Sequence, residues 1–297
     1  MKLLLKKIAF SAVNFFVNAF SILNSFFDYI FPKNLNGYFR EQINSKNDSF
    51  IKTTIHKNST DVIKFDIYTP NQICSMRHRT FSDKEPETLE WMDEFGGDGT
   101  FFDIGANIGI YSIYYALTNN GKVFSFEPSV FNLRQLAKNI SINNLQNKIS
   151  IIPNPLSDKT IFASFKNGND REGGALSTFA VDYGFDGKKI DSEIEYNLMG
   201  FSLDELIEKE FLKEYPSLIK IDVDGIEHLI LKGAKKTLKN STCKSISIEV
   251  NENFKVQSSE VSRILTECGF KFRSNKHSKM SAKGEFSKTF NQVWVKV

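Results

Sequence analysis

Residues 100–117 read TFFDIGANIGIYSIYYAL. Thr100–Ile104 is a short apolar strand, Gly105 and Gly109 turn the chain, and Ile110, Ile113, Tyr114 and Leu117 follow at the i, i+3, i+4, i+7 spacing of a buried helix face. A strand passing through a glycine turn into an amphipathic helix is the repeating unit of an α/β sheet. The unit recurs downstream. Lys122–Phe126 predicts a strand, Leu133, Leu136, Ala137 and Ile140 mark a helix, and Ile149–Ile152 predicts a third strand. A helix from Ser202, a strand at Leu218–Val223 and a helix reaching Leu238 follow. Then come a strand at Ser245–Val250 and a helix on Val261, Ile264, Leu265 and Cys268 that Gly269 stops. Two β segments, Phe270–Arg273 and Phe290–Val297, close the chain with no helix between them. Such a pattern predicts a doubly wound, mostly parallel sheet with right-handed crossovers. Ligands of these sheets sit beyond the carboxyl ends of the strands.

Composition agrees. The chain has 297 residues, of which 41% are apolar and 25% charged, enough to build a sizeable core. A net charge of +3 gives no reason to expect nucleic acid as a partner. Cys74, Cys243 and Cys268 share no metal-type spacing and cannot all pair, which excludes a disulfide scaffold and a zinc ribbon. Cys268 belongs to a core face and is expected to be inert.

The amino-terminal segment stands apart. Ile8–Phe27 carries no charge, is rich in phenylalanine and follows Lys2, Lys6 and Lys7. Its polar residues Ser11, Asn14, Asn18, Ser21, Ser25 and Asp28 fall in one narrow stripe at helical spacing. This predicts an amphipathic helix over residues 1–31 rather than a membrane span or a signal peptide. Such a helix serves either as a dock on protein, its own core or a second copy, or as a peripheral contact with the cytoplasmic membrane surface. Residues 32–60 read as irregular, and Asp61–Tyr68 alternates as a strand.

The strand ends carry the chemistry. At Asp103-Ile104-Gly105-Ala106-Asn107-Ile108-Gly109 the glycines let the backbone approach a ligand, and Asp103 suits a ligand with a positively charged end. The spacing is not that of a dinucleotide fingerprint, and helix capping by Asp103 is the alternative. Glu127, in Phe126-Glu127-Pro128, is placed to accept from both hydroxyls of a ribose, although alone it fits a surface charge or a cap equally. Ser157 and Asp158, after the third strand, fit either the amino edge of an adenine or a simple turn. The fourth strand leads into Lys220-Ile221-Asp222-Val223-Asp224-Gly225-Ile226-Glu227-His228. Its carboxylate spacing lacks an EF-hand pattern, so no metal is expected. Helical stripes turn Glu227 toward the protein and His228 toward solvent. Glu249 points away from the apolar row Ile246, Ile248, Val250 and needs a partner if buried.

These residues resemble the FkbM family of S-adenosylmethionine-dependent methyltransferases. The likeness rests on FFDIGANIGIYS at 101–112, FSFEPS at 124–129, LSD at 156–158, FSLDELIEKE at 201–210 and, most specifically, LIKIDVDGIEHLILKGAKKTL at 218–238. Asp224 stands where the family pattern has Glu. The resemblance implies a Rossmann-like class I methyltransferase domain over residues 84–297, a seven-stranded sheet whose last strand is antiparallel, and residues 32–83 as an accessory region. It further implies transfer of a methyl group from S-adenosyl-L-methionine to a hydroxyl, often of a sugar or polyketide. On that reading Asp103, Gly105, Asn107 and Gly109 hold the methionine end, Glu127 the ribose, Ser157 and Asp158 the adenine, and Asp222 faces both cofactor and acceptor. The candidates for general base are Asp222, Glu227 and Glu249, with His78 and His228 in reserve. Residues 166–200, with Asn169, Asp170, Arg171, Gly173, Gly174, Ser177, Thr178 and Tyr183, read as an acceptor-binding lid or a solvated loop. The expected acceptor is a glycan or glycolipid. A nicotinamide oxidoreductase and a non-catalytic, membrane-associated cofactor-binding module are the competing readings.

Overall fold

The computed structural model describes residues 2–30, 38, 41–42, 45, 50–192, 194–277 and 283–297, in two units, Met1–Phe50 and Ile51–Val297. The first unit holds α1 (Lys2–Ile30), on which Phe10, Phe15, Phe16, Phe20 and Phe26 are all exposed. Among the described residues, no helix is long and apolar enough to cross a membrane. Residue 31, the last of the expected helix, and residues 32–37, 39–40, 43–44 and 46–49, in the stretch expected to be irregular, lie outside the described residues, as do the side chains of Lys2 and Asp28.

The second unit opens with β1 (Ile51–Lys57) and β2 (Val62–Tyr68), paired antiparallel from Ile51 opposite Tyr68 to Lys57 opposite Val62. Then follow α2 (Gln72–Lys84) and α3 (Pro86–Phe95). Strand β1 replaces what the sequence presents as irregular. Thr54 is its only buried residue, so no apolar row announces it. Helix α2 is equally cryptic because Cys74 and Phe81 alone are buried, and its start is set by Asn71, whose side chain accepts from the Cys74 amide at 2.9 Å. Both elements close over the core, where Phe81 meets Phe65 and Tyr114 with ring centroids 5.1 and 5.7 Å away.

The α/β body then runs β3 (Phe101–Ile104), α4 (Ile110–Thr118), β4 (Val123–Phe126), α5 (Val130–Ile142) and β5 (Ile149–Ile152). Next come β6 (Ile161–Asn167), β7 (Thr178–Phe179), β8 (Ile194–Gly200), α6 (Leu203–Glu208) and β9 (Leu218–Ile221). It ends with α7 (Glu227–Lys232), α8 (Lys235–Lys239), β10 (Ser245–Asn251), α9 (Lys255–Glu267), β11 (Phe270–Lys276) and β12 (Thr289–Lys296). The main sheet has seven strands in the order β11-β12-β10-β9-β3-β4-β5. Strands β10, β9, β3, β4 and β5 are parallel to one another, and β12 is antiparallel to β10 and to β11, with a bulge between Phe272 and Ser274. This is the doubly wound sheet that the βα pattern predicts. Alternation divides its faces. Phe102, Ile104, Ile219 and Ile221 pack with α6 to α9, whereas Phe101, Val123 and Leu218 pack with the aromatic side chains of α2, α3 and α4.

Two expectations change here. The helix read as continuous to Leu238 stops after Lys232, where Gly233 and Ala234 leave helical geometry (Ala234 φ −122°, ψ 7°), and a Cβ at Gly233 would lie 2.2 Å from the Ser157 carbonyl oxygen. That close approach seats the loop after β5 at the break between α7 and α8. Residues 166–200, expected to hold an acceptor-binding lid or a solvated loop, join β6 in a three-stranded antiparallel sheet in the order β7-β6-β8. Its strands are mixed in polarity and mostly half-exposed, so their periodicity is weak.

The glycine turn is fixed by backbone contact. Gly105 has φ of +85°, and a Cβ there would lie 1.9 Å from the Asp222 carbonyl oxygen. Gly105→Ala is expected to cost about 2–4 kcal/mol in chemical denaturation. Gly184→Ala is the control: its added Cβ meets nothing nearer than Ile190 Cδ1 at 3.9 Å, and a change of less than about 0.5 kcal/mol is expected.

Candidate functional site

Strand register places Ser125, Asp103, Lys220 and Ser247 in one row across β4, β3, β9 and β10. The row contains a buried charge: Lys220 is 2% exposed. Its Nζ donates to Asp222 Oδ2 at 2.8 Å and lies 5.0 Å from the centre of the Tyr111 ring. Burial pulls the ammonium pKa down, but Asp222, Glu85 and Asp103 outweigh it and hold Lys220 above its ordinary value. Glu85, pushed up by burial, is brought down to about 2 by Lys84 and Lys220. Asp103 is wholly buried, and Ser112 Oγ donates to its Oδ2 at 2.6 Å while sharing a 2.7 Å hydrogen bond with Ser125 Oγ. Burial raises its pKa against the pull of Lys220. Asp103, read as the holder of a ligand's cationic end, therefore lies beneath the site floor and lines neither cavity described below. The sheet register, not the glycine motif, sets its position.

Two cavities open beyond the strand ends. The smaller is lined by Phe126, Glu127, Asn154, Leu156, Thr178 and Phe179 among others. The larger is lined by Arg77, Glu85, Tyr111, Lys220, Glu249 and Phe290 among others. Gly105, Asn107, Ala175, Asp222 and Asp224 border both, so the cavities meet at the end of β9.

Glu127 anchors the smaller cavity. It is 5% exposed, its Oε2 accepts from the Asn107 amide at 2.7 Å, and its Oε1 accepts from the Ser129 amide at 2.8 Å. Burial pushes its pKa up to about 7 against these amide donors. Asn107, at φ of +52°, also donates from Nδ2 to the Gly174 carbonyl at 2.6 Å, which ties the glycine turn to the segment before β7. Gly109, at φ of +83°, caps α4 and admits Leu136, whose Cδ1 would lie 2.3 Å from an added Cβ.

Other expected residues are placed differently. Ser157 is buried, Asp158 is exposed, and neither lines a cavity. The bridge between Leu156 and Phe201 and the 2.8 Å bond from the Ser157 amide to the Phe201 carbonyl turn that loop onto β8, leaving Asn154, Pro155 and Leu156 at the cleft. Glu227 is fully buried and borders neither cavity. Its Oε1 accepts from the Val223 and Gly225 amides at 3.2 and 3.1 Å, and Gln257 donates to its Oε2. Burial lifts it to about 7, and its hydrogen bonds brace the turn after β9. His228, expected to face solvent, is 3% exposed, with its ring edge-on to Phe254 at 6.0 Å. Helix α9 covers that side, and burial followed by Lys232 lowers its pKa to about 4. His78 bonds Thr54 at 2.9 Å and lines neither cavity.

Asp222 and Glu249 do reach the site. With Asp224 they form a cluster whose ligand atoms all lie within 4.8 Å of one another, a set able to hold a divalent cation that loop spacing alone does not reveal. Asp224, at φ of +61°, accepts from the Leu176 and Ser177 amides at 2.6 and 3.2 Å, and burial followed by Asp222 pushes it up to about 6. Burial, then Asp222, Asp224, Glu227 and Glu85, raise Glu249 well above its ordinary value. Sequence reasoning missed Arg77 and Glu85, which come from the cryptic α2 and its cap. It also gave no role at the cofactor cleft to Thr178, whose buried Oγ1 has no hydrogen-bond partner there.

The family model for the methyltransferase FkbM domain matches residues 103–272. No protein of curated function matches the sequence significantly. Among solved structures, the chain is similar to a methyltransferase FkbM from Methylobacillus flagellatus (TM-score 0.45, 15% identity), over 67% of this chain and 43% of that one. It is also similar to a precorrin-6y C5,15-methyltransferase from Geobacter metallireducens (TM-score 0.42, 16% identity, 72% and 87% of the two chains). An rRNA methylase from Streptococcus thermophilus matches with TM-score 0.43 and 11% identity over 71% and 95% of the two chains.

The buried cation yields a direct test. Lys220→Ala leaves Asp103, Glu85 and Asp222 without their shared counter-charge and is expected to cost about 3–5 kcal/mol in urea denaturation. Combining it with Asp103→Asn is expected to recover part of that loss.

Proposed function

Because the chain belongs to the FkbM methyltransferase family, we propose that it transfers a methyl group from S-adenosyl-L-methionine to a sugar hydroxyl of a glycan or glycolipid. The observation that carries this reading is the meeting of two cavities at Asp222. The smaller fits the adenosine half of the cofactor: Phe126, Leu156 and Phe179 offer apolar walls, the orphaned Thr178 hydroxyl offers a polar handle, and Glu127 offers acceptor lone pairs for ribose. The family assignment sets the nicotinamide alternative aside.

When bound, the cofactor supplies an electrophilic methyl group on a sulfonium whose departure leaves a neutral thioether. The chain must align an acceptor oxygen, remove its proton and exclude water. Asp222 sits where the cavities join, and Lys220 holds its Oδ2, so the carboxylate is oriented to accept the hydroxyl proton. Glu249, which burial and then its carboxylate neighbours raise well above its ordinary value, lines the larger cavity beside Asp222, in place to contact the acceptor. The larger cavity combines Phe286 and Phe290 with Asn291 and these carboxylates, a mixture suited to the apolar faces and hydroxyl rim of a sugar. The exposed phenylalanines of α1, with Lys6 and Lys7 near its start, suit an anionic membrane surface at the cytoplasmic face, where a lipid-linked acceptor resides.

Calorimetric titration with S-adenosylhomocysteine tests the cofactor. Micromolar binding is expected, lost in Glu127→Ala and absent for NAD; no binding by the folded chain overturns the reading. Because an ionised Glu127 accepts from ribose and its pKa is about 7, protonation competes with binding below that value. Affinity is expected to rise about tenfold from pH 6 to pH 8. Deleting residues 1–31 is expected to abolish co-sedimentation with anionic vesicles while leaving homocysteine-derivative binding intact. Sedimentation of the truncated chain overturns the membrane role.

A further inference from the structure

Helix α2 lies outside the residues that match the family model, yet Met76 and Arg77 line the larger cavity together with the glycine turn Gly105–Ile108. Arg77 Nε donates to the Gly173 carbonyl at 2.8 Å, which fixes the guanidinium against the segment leading to β7. The lysines of the cavity, Lys84 and Lys220, are paired: Lys84 with Glu85 at 2.6 Å and Lys220 with Asp222 at 2.8 Å. Arg77 has no ion-pair partner among the described residues. Its charge is nevertheless felt at Glu127, in the smaller cavity, and at Asp224, on the border of both. A half-buried guanidinium held through Nε, with its terminal nitrogens uncommitted, is built to receive a planar anion.

The cofactor reading supplies such an anion. Its amino-acid tail bears a carboxylate and an ammonium on one carbon. With adenosine in the smaller cavity, the shared border at Gly105, Asn107, Asp222 and Asp224 leads into the larger one. That cavity offers opposite charges for the two groups: Arg77 on α2, and the carboxylates at the ends of β9 and β10. We propose, resting on the cofactor assignment above, that Arg77 binds the carboxylate of the cofactor's amino-acid tail. The accessory segment before residue 84 is then part of the binding site rather than an appendage to it.

The test compares three ligands on the full chain by calorimetry: S-adenosylhomocysteine, its decarboxylated analogue, and 5′-methylthioadenosine, which lacks the whole tail. Arg77→Gln is expected to weaken S-adenosylhomocysteine at least about tenfold and to leave the other two within about twofold. Arg77→Lys, which keeps the charge, is expected to recover part of the loss. An unchanged affinity for S-adenosylhomocysteine overturns the assignment and leaves Arg77 free for an acid on the acceptor. An equal loss for all three ligands overturns it as well, because Arg77 then only props the Gly173 segment. If the wild-type chain binds none of the three, the cofactor reading itself falls, a result separate from any effect of the substitution.

Discussion

A single ammonium group, that of Lys220, constrains the centre of this molecule. It is buried in the middle of a seven-stranded sheet, where an unpaired charge costs several kcal/mol or more. The surrounding arrangement answers that cost. Asp103 stands beside it in register, Asp222 bonds it from the end of its own strand, and Glu85 contributes from the cap of α2. Serines on β3's helix and on β4 keep the Asp103 carboxylate in place. The Lys220–Asp222 ion pair thus orients the residue at which the two cavities meet, while Asp103 faces the same ammonium across the β3–β9 pairing.

Much of this was legible before any coordinates. The strands at residues 101, 123, 218 and 245 announce themselves because they are buried almost throughout and bounded by turn residues, the edge strand at 149 by its isoleucines, and the helices between them by an apolar stripe. Gly105, Asn107, Glu127, Asp222 and Glu249 were readable for a related reason: in a parallel sheet the site follows the strand ends, so knowing the strands locates the residues. What stayed hidden depends on contacts between distant segments. Nothing local tells that Asp103 faces Lys220, that α9 roofs His228, or that Glu227 braces the turn beginning at Val223. Strand β1 and helix α2 escape notice because they bury few apolar residues, and their place is set by the aromatic cluster they cover rather than by their own periodicity.

The carboxylates illustrate how placement divides identical chemistry. Glu227 and Glu127 are both buried and both accept amide protons, yet one braces a turn out of reach of either cavity and the other faces a cleft. Burial, then the neighbouring carboxylates, raise Glu249, whereas Asp222 is ion-paired with Lys220. Residue type and spacing could not separate these roles. Depth relative to the sheet, and the presence or absence of an amide cradle, do so.

The bulge in the terminal hairpin has a consequence for how copies of the chain behave together. An open sheet leaves two edges with unpaired backbone groups, and a long flat edge is a template for another strand. Here the outer strand β11 bears Lys271, Arg273 and Lys276 and is kinked between Phe272 and Ser274, while the opposite edge, β5, is only four residues long. Charge and irregularity at one margin and brevity at the other deny a neighbouring molecule a regular surface to extend, so edge-to-edge aggregation is resisted by the same hairpin that completes the sheet.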